Sequence, residues 1–274
     1  MCLTISPANI SNTIIGNFPF EGKERILFYQ NSIKSFGGSV NVMLLAIDST
    51  VSGLVDTTSN PNIIKDIANS LEFINARDMY TAKSRSSVQD RGIFQEQVGM
   101  YTVNYSQSID KLSQSLLQFG TSIPQMYLDF YNREYVASGK YTFLAFLWYG
   151  TSAIDAQPIC IKYISDTGLA YFPMIDGHDG RPVTVNSNVD YDHTLLFQVS
   201  DKEAKTYKRK SILDLFSTNK KPEIVDATIY GKTIRNIVKL SVHSQYNTVG
   251  SASAIDGNND YAYNADKNEF LRVL

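Results

Sequence analysis

The stretch YFPMIDGHDGRPVTVNSNVDYDHTLL, residues 171–196, carries two of the chain's three histidines, His178 and His193, among Asp176, Asp179, Asp190 and Asp192. Neutral imidazole and ionised carboxylate both suit a divalent cation, and a carboxylate can also orient a histidine that works as a base. His178, Asp179 and His193 are therefore candidates for a catalytic or metal site. Spacing argues the other way, because the histidines fall on a turn and on the head of a later strand, and they meet only if the chain doubles back. Asp176-Gly177 and Asp179-Gly180 are turn dipeptides in their own right, and Pro182 continues the punctuation. Chain reversal accounts for this polarity, so the favoured expectation is structural: His178 exposed between turns, His193 half-buried and bonded to Asp192 or a backbone carbonyl.

Cys2 is the other candidate. Removal of Met1 is favoured when the next residue is small, and a cysteine uncovered in this way has a thiol beside an amine that can act as its base. N-terminal-nucleophile hydrolases use that arrangement. A lone residue at position 2 is a weak motif, however, and a small buried cysteine is the competing fate. The sequence has no G-x-x-x-x-G-K-[ST], dinucleotide fingerprint, G-x-S-x-G or H-E-x-x-H, and YGKT at 230–233 lacks the earlier glycine of a phosphate loop. No cofactor is expected.

The totals narrow the partners. In 274 residues, 25 basic side chains against 27 acidic ones leave a net charge of -2, so nucleic acid is an unlikely bulk partner. Lys202, Lys205, Lys208, Arg209, Lys210, Lys220 and Lys221 are interleaved with Asp201, Glu203 and Asp214, which reads as a solvated face. The most apolar run, YTFLAFLWYG at 141–150, falls well short of the roughly 20 residues a membrane helix needs, so no membrane association is expected. MCLTISPANI lacks the features of a signal peptide, and Cys2 and Cys160 make no paired motif, which points to a reducing, cytoplasmic or virion setting.

The elements that must position these residues are mostly strands. CLTIS is a short strand closed by Pro7, and ERILFYQNSIK and VNVMLLAID are expected to form a hairpin around Gly37 and Gly38. Asn60-Pro61 opens a helix with Ile63, Ile67, Leu71 and Ile74 inward; residues 77–98 read as a long loop. GMYTVNYS is a strand, and Ser108 and Pro124 begin two helices carrying Ile109, Leu112 and Leu116 and then Tyr127, Phe130, Tyr131 and Tyr135. KYTFLAFLWY follows, and QPICIKYI and GLAYFPMI are joined by the turn SDTG. DHTLLFQVS comes next, with a last hairpin, EIVDATIY and TIRNIVKLSV, turning on Gly231-Lys232 as a II′ loop.

One resemblance bears on the histidines. MCL at the start, NVMLLAI, and FPMIDGHDG followed by YDHTLLFQ resemble a family of uncharacterised bacterial proteins marked by FP, four residues, HDG, and a later D-H at a strand head. Phe172, Pro173, His178, Asp179, Gly180, Asp192 and His193 match; where the pattern has a further histidine two residues before His178, this chain has Asp176. The resemblance covers about the first two hundred residues and implies no activity.

Together these readings give an α+β fold, mainly antiparallel sheet with a few covering helices. A compact domain over 1–200 is expected, then a Lys-rich connection, hairpin and polar extension over 201–274. The expected function is a non-enzymatic structural or interaction protein contacting other protein subunits through its C-terminal region, as in a larger assembly such as a virion. The alternative is a hydrolase using Cys2 or a His178/Asp179/His193 site.

Overall fold

The computed structural model describes residues 2–35, 40–72, 92–136, 141–150, 154–178, 181–187, 192–205, 223–242, 259–267 and 269–273. Strands β1 (Cys2–Thr4), β2 (Ala8–Pro19), β3 (Glu24–Ser35), β4 (Asn41–Ile47) and β5 (Thr50–Leu54) precede helix α1 (Ile63–Asn69). β6 (Phe94–Val98) and β7 (Tyr101–Ser106) lead into α2 (Ile109–Leu116) and α3 (Gln125–Glu134), followed by β8 (Thr142–Trp148), β9 (Ile154–Asp155), β10 (Ile159–Ile164), β11 (Ala170–Phe172) and β12 (Asp176–Gly177). β13 (His193–Gln198), α4 (Asp201–Ala204), β14 (Ile224–Ile229), β15 (Lys232–Val242), β16 (Tyr261–Asn264) and β17 (Glu269–Arg272) complete the chain. The fold is mainly antiparallel sheet with helices packed outside, as the sequence patterning indicates.

A six-stranded sheet runs β12-β1-β4-β8-β7-β6, an eight-stranded one runs β14-β15-β13-β2-β3-β10-β5 with β9 also on β3, and β11-β16-β17 form a third. Parallel pairs occur only at β1·β12 and β13·β2 among the described strands. Strands from both sides of residue 200 share the eight-stranded sheet, since β15 pairs with β13.

Alternation along the strands fixes the layers. On one face of the eight-stranded sheet, Ile15, Leu27, Tyr29, Ile161, Leu195 and Phe197 join the same core as β4 and β8, whose two faces are buried throughout. On its other face Phe18, Ile26, Phe28, Cys160 and Leu196 pack with Ile64, Ile67 and Leu71 around α1. A Cβ on Gly16 would come within 2.6 Å of Ile64 Cδ1, so the missing side chain is what lets α1 settle on β2. Leu112, Leu116, Tyr127, Phe130 and Tyr131 of α2 and α3, with Tyr135 just past the end of α3, cover the six-stranded sheet.

Several local expectations change. β3 and β4 are not a hairpin: β4 lies between β1 and β8, where both of its apolar faces find cover. The strands joined by SDTG also part, β10 pairing with β3 and β5 while β11 pairs with β16. In the last hairpin Ile229 faces Lys232, so the loop is Tyr230-Gly231 with φ 47 and 79, a I′ geometry that matches strand twist. α1 begins at Ile63 with no side-chain cap at Asn62, whereas Ser108 accepts from Lys111 N at 3.3 Å as expected. β6 falls inside the stretch read as loop. Gly37, Gly38, Ile74, residues 77–91 and most of the Lys-rich segment lie outside the described residues.

The third sheet is tied in by a carboxylate. Asp260 is fully buried and accepts from Tyr135 Oη at 2.7 Å, from Tyr171 Oη, and from the backbone N–H groups of Met174 and Ile175 at 2.7 and 2.9 Å. Burial first, and then the negative charge of Asp260, holds the Tyr135 and Tyr171 hydroxyls protonated well above their ordinary range, so both remain donors. Around them Tyr131, Tyr135, Tyr141 and Phe143 pack as tilted or edge-on rings, and Phe197, Tyr263 and Phe270 join β13 to β16 and β17.

Replacing Asp260 by Asn turns one of its acceptor oxygens into a donor facing donors. The variant is expected to lose about 2–4 kcal/mol of stability, read as a lower denaturant midpoint. A second expectation concerns alkali: Tyr131, Tyr135, Tyr163 and Tyr171 all have ionisation pushed up, chiefly by burial. Their contribution to stability is complete below the unfolded value of about 10 and is lost as pH rises from there toward the folded values. Tyrosinate absorbance for these four should therefore appear only together with loss of the near-ultraviolet circular dichroism of the fold.

Candidate functional site

Asp260 also sets the path of the histidine-bearing segment. Once the N–H groups of Met174 and Ile175 are bound to it, the next two residues emerge alongside β1, with Cys2 opposite Asp176 and Leu3 opposite Gly177. At Gly177 a Cβ would meet Val183 Cγ2 at 2.6 Å, so only glycine admits this close approach. His178 leaves the strand and exchanges contacts with Ala8: Ala8 N–H donates to the His178 carbonyl at 3.0 Å, and His178 Nδ1 lies 3.0 Å from the Ala8 carbonyl. A carbonyl only accepts, so Nδ1 carries the proton there. On the other side His178 Nε2 is 3.5 Å from Asp176 Oδ2, an ion pair when the ring is protonated. Both ring nitrogens thus face acceptors of this chain itself.

His193 sits elsewhere. It heads β13 opposite Val242, is 2% exposed, and lies next to Thr194, which pairs with Ile14 of β2. Asp192, expected alongside a backbone carbonyl as an alternative partner for it, accepts from the Asn12 backbone N–H, where Asn12 takes a φ of 55 in the β2 bulge. His178 is bound at Ala8, whereas His193 precedes Thr194, which pairs with Ile14 beyond the β2 bulge. The two histidines are placed at different stretches of β2. Asp179 lies outside the described residues, and Cys2 is described as backbone in β1. Among the described residues no group of three His, Cys, Asp or Glu side chains is placed to hold a metal ion, and no helix is long and apolar enough to cross a membrane.

A concave site occurs where the chain passes from one large sheet to the other. After β4 the backbone turns at Ser49, whose carbonyl accepts from Thr142 Oγ1 at 2.7 Å and whose hydroxyl donates to the Ile164 carbonyl, and β5 starts on the second sheet. The corner holds a cavity of about 320 Å³ lined by Val51, Phe94, Tyr105, Gln107, Thr142 and Ile164, among others. Phe94 stacks on its cross-strand neighbour Tyr105 at 5.0 Å, and Tyr105 Oη donates to Glu96 Oε1 at 2.8 Å. Burial, followed by that carboxylate, pushes the Tyr105 hydroxyl up and keeps it a donor. Gln107 lines the cavity, and its Oε1 is buried and receives no donor.

Apolar side chains are exposed at and beside the cavity. Phe94 is 46% exposed, Ile164 37%, and Ile93 next to Phe94 is 45% exposed. Sequence reasoning missed this site because β6 reads FQEQV, too polar to suggest a strand; the pair Ile93-Phe94 inside a polar stretch was the available signal. What such a corner can do is bind, since it gathers an aromatic face, aliphatic walls and one unmet acceptor.

No family model matches the chain, and no curated protein matches it. The chain is similar to the crystal structure of baculovirus P35, with 15% identity over 99% of this chain and 94% of that chain and a TM-score of 0.46. It is also similar to a mutated baculovirus P35 after caspase cleavage, with 13% identity over 96% of this chain and 93% of that one and a TM-score of 0.46. A third similar structure is that of the caspase-8/P35 complex, at 13% identity, 96% of this chain, 90% of that chain and a TM-score of 0.43.

Proposed function

We propose that this chain is a non-enzymatic protein-interaction protein whose contact face is the corner between β5, the start of β6 and Ile164. The observation that carries this reading is the gathering of Ile93, Phe94 and Ile164, all exposed, at the mouth and margin of one cavity. Single exposed apolar residues are ordinary, whereas several around a concavity mark a binding surface. The histidines support it from the other side, because His178 is engaged in holding β12 against the start of β2 and His193 is buried at the head of β13. The proposal moves the expected contact away from the C-terminal strands, since Tyr261, Tyr263 and Phe270 of β16 and β17 are buried in this chain's own core. Membership of a larger particle such as a virion, and a cytoplasmic or virion location, belong to the same reading.

One observation favours a second reading, a hydrolase with Cys2 as nucleophile: β1 places Cys2 opposite Asp176, two residues from His178. Intact mass and a thiol-reactive probe separate the two. Retention of Met1 with Cys2 unlabelled removes the hydrolase; loss of Met1 with rapid Cys2 labelling that His178→Gln slows at neutral pH would replace the interaction reading.

The interaction face is tested by charge. Phe94→Asp with Ile164→Asp alters exposed side chains, so the melting temperature should stay within a few degrees, while the set of proteins co-purifying with the wild-type chain should be lost by more than tenfold. His178→Gln with His193→Gln should keep that set. If the charged variant retains every partner, the corner is not the contact face.

A further inference from the structure

The corner also carries information about what kind of partner it takes, an inference that rests on the interaction reading above. Among the described strands that end a sheet path, each but one carries charge, is very short or is buried. β6 contains Glu96, β14 Asp226, β17 Glu269 and Arg272, β12 is two residues with Asp176, and β11 is three buried residues. β5 is the exception. Its sequence TVSGL is neutral and free of proline, no residue in it is fully buried, and among the described strands it pairs only with β10. Natural sheets mark the edges they must keep unpaired with charges, proline, brevity or bulges, and of these β5 has only a bulge, so the run beside it is a template for another strand.

The same strand walls the cavity, through Thr50, Val51 and Ser52. At about 320 Å³ the space is at the small end of the roughly 300–1,000 Å³ of ligand sites, so it holds one ring-bearing group and not an extended cofactor. Its walls are the Phe94 and Tyr105 rings with Val51 and Ile164, together with Thr50, Ser52, Ser106 and Thr142, none of them charged, and behind its Gln107 wall the buried Oε1 acceptor is unmet. A buried acceptor with no donor is costly, and a ligand that brings an N–H or O–H to it recovers that cost. An indole or phenol ring matches both features, since each has an apolar body and a single donor. The bulge opposite Lys162 and Tyr163 bends β5 and limits the pairable run to a few residues.

We propose that β5 accepts a short, uncharged extended segment of a partner protein as an added strand, and that one Trp or Tyr side chain of that segment fills the corner cavity and donates to Gln107 Oε1. Main-chain pairing gives the attachment, and the ring gives the selectivity.

The blocked pentapeptide Ac-TVWVT-amide is the probe. Titrated into the full chain by calorimetry, it should bind saturably and slow amide exchange across Thr50–Leu54. Tryptophan-to-alanine replacement in the peptide, N-methylation of its alternate amides, and Gln107→Leu in the protein should each weaken binding about tenfold or more; the first two leave the protein untouched. N-acetyltryptophanamide, which has the ring without the strand, should bind at least tenfold more weakly than the peptide. The inference is overturned if the pentapeptide does not bind, if N-methylation is without effect, or if the free amide binds equally well, which would make the cavity a small-ligand site. Failure here with partners still lost in Phe94→Asp/Ile164→Asp would sink strand addition and leave the interaction face standing; failure of both would sink the face itself.

Discussion

A carboxylate placed in a fold's interior survives there only when its oxygens are fully engaged by donors, and Asp260 satisfies that condition with two tyrosine hydroxyls and two backbone amides. The donors come from α3, from β11 and from the chain just before β12, so one side chain near the C-terminus joins three parts of the molecule. The dependence runs both ways. Without Asp260, Met174 and Ile175 would hold buried amides with nothing to accept them; without the tyrosines, the charge would be unsupported. β16 and β17 are consequently part of the core and not an appendage, with Asn259 and Asp260 as buried as Tyr261.

The geometry around His178 is downstream of that clamp. Asp260 fixes where β12 emerges, β12 lies in parallel against β1, and His178 closes the contact by bonding Ala8 at the first residue of β2. The polar residues that look like reaction chemistry in the sequence are, at this place, satisfying a strand that has few ladder bonds of its own. A similar economy holds at Asn17, fully buried in β2, whose amide donates to Tyr163 Oη at 2.8 Å and the Tyr171 carbonyl at 2.6 Å while its oxygen accepts from Arg25 Nε at 2.8 Å. Polar side chains here join sheets to one another, where an apolar residue could only pack.

What was legible in the sequence follows from which signals are local. The helices at 109–116 and 125–134, the doubly apolar β4 and β8, and the final hairpin could be read because periodicity, a Ser cap and turn dipeptides declare themselves within a few residues. β2, twelve residues long and central to its sheet, could not. Its Asn12, Thr13, Gly16 and Asn17 break the alternation for reasons that lie far away in the chain: a bulge, an approaching helix and the Tyr163 and Tyr171 partners. Hairpin logic failed at β3/β4 and β10/β11 because a short connection allows pairing but does not require it, and strands with two faces to cover found better neighbours in other parts of the chain. In the histidine segment Asp176-Gly177, expected as a turn, is instead strand β12 against β1, and the expected Asp179-Gly180 turn lies outside the described residues; neither placement could be read without β2 and β1.

The corner between the sheets has the same non-local origin and explains why a binding surface arises there. Two packed sheets bury their facing sides, but the chain must cross between them, and at Ser49 it does so through side-chain bonds to Ile164 and Thr142 instead of a regular ladder. Regular packing stops at such a crossing, so the walls left behind come from unrelated strands and do not fill the space. Phe94 and Tyr105 stack across one side, Ile164 and Val51 line the other, and β5 ends its sheet beside them without a charge to guard it. A neutral edge, exposed apolar side chains and an unmet buried acceptor thus meet at a place where the chain changes sheets.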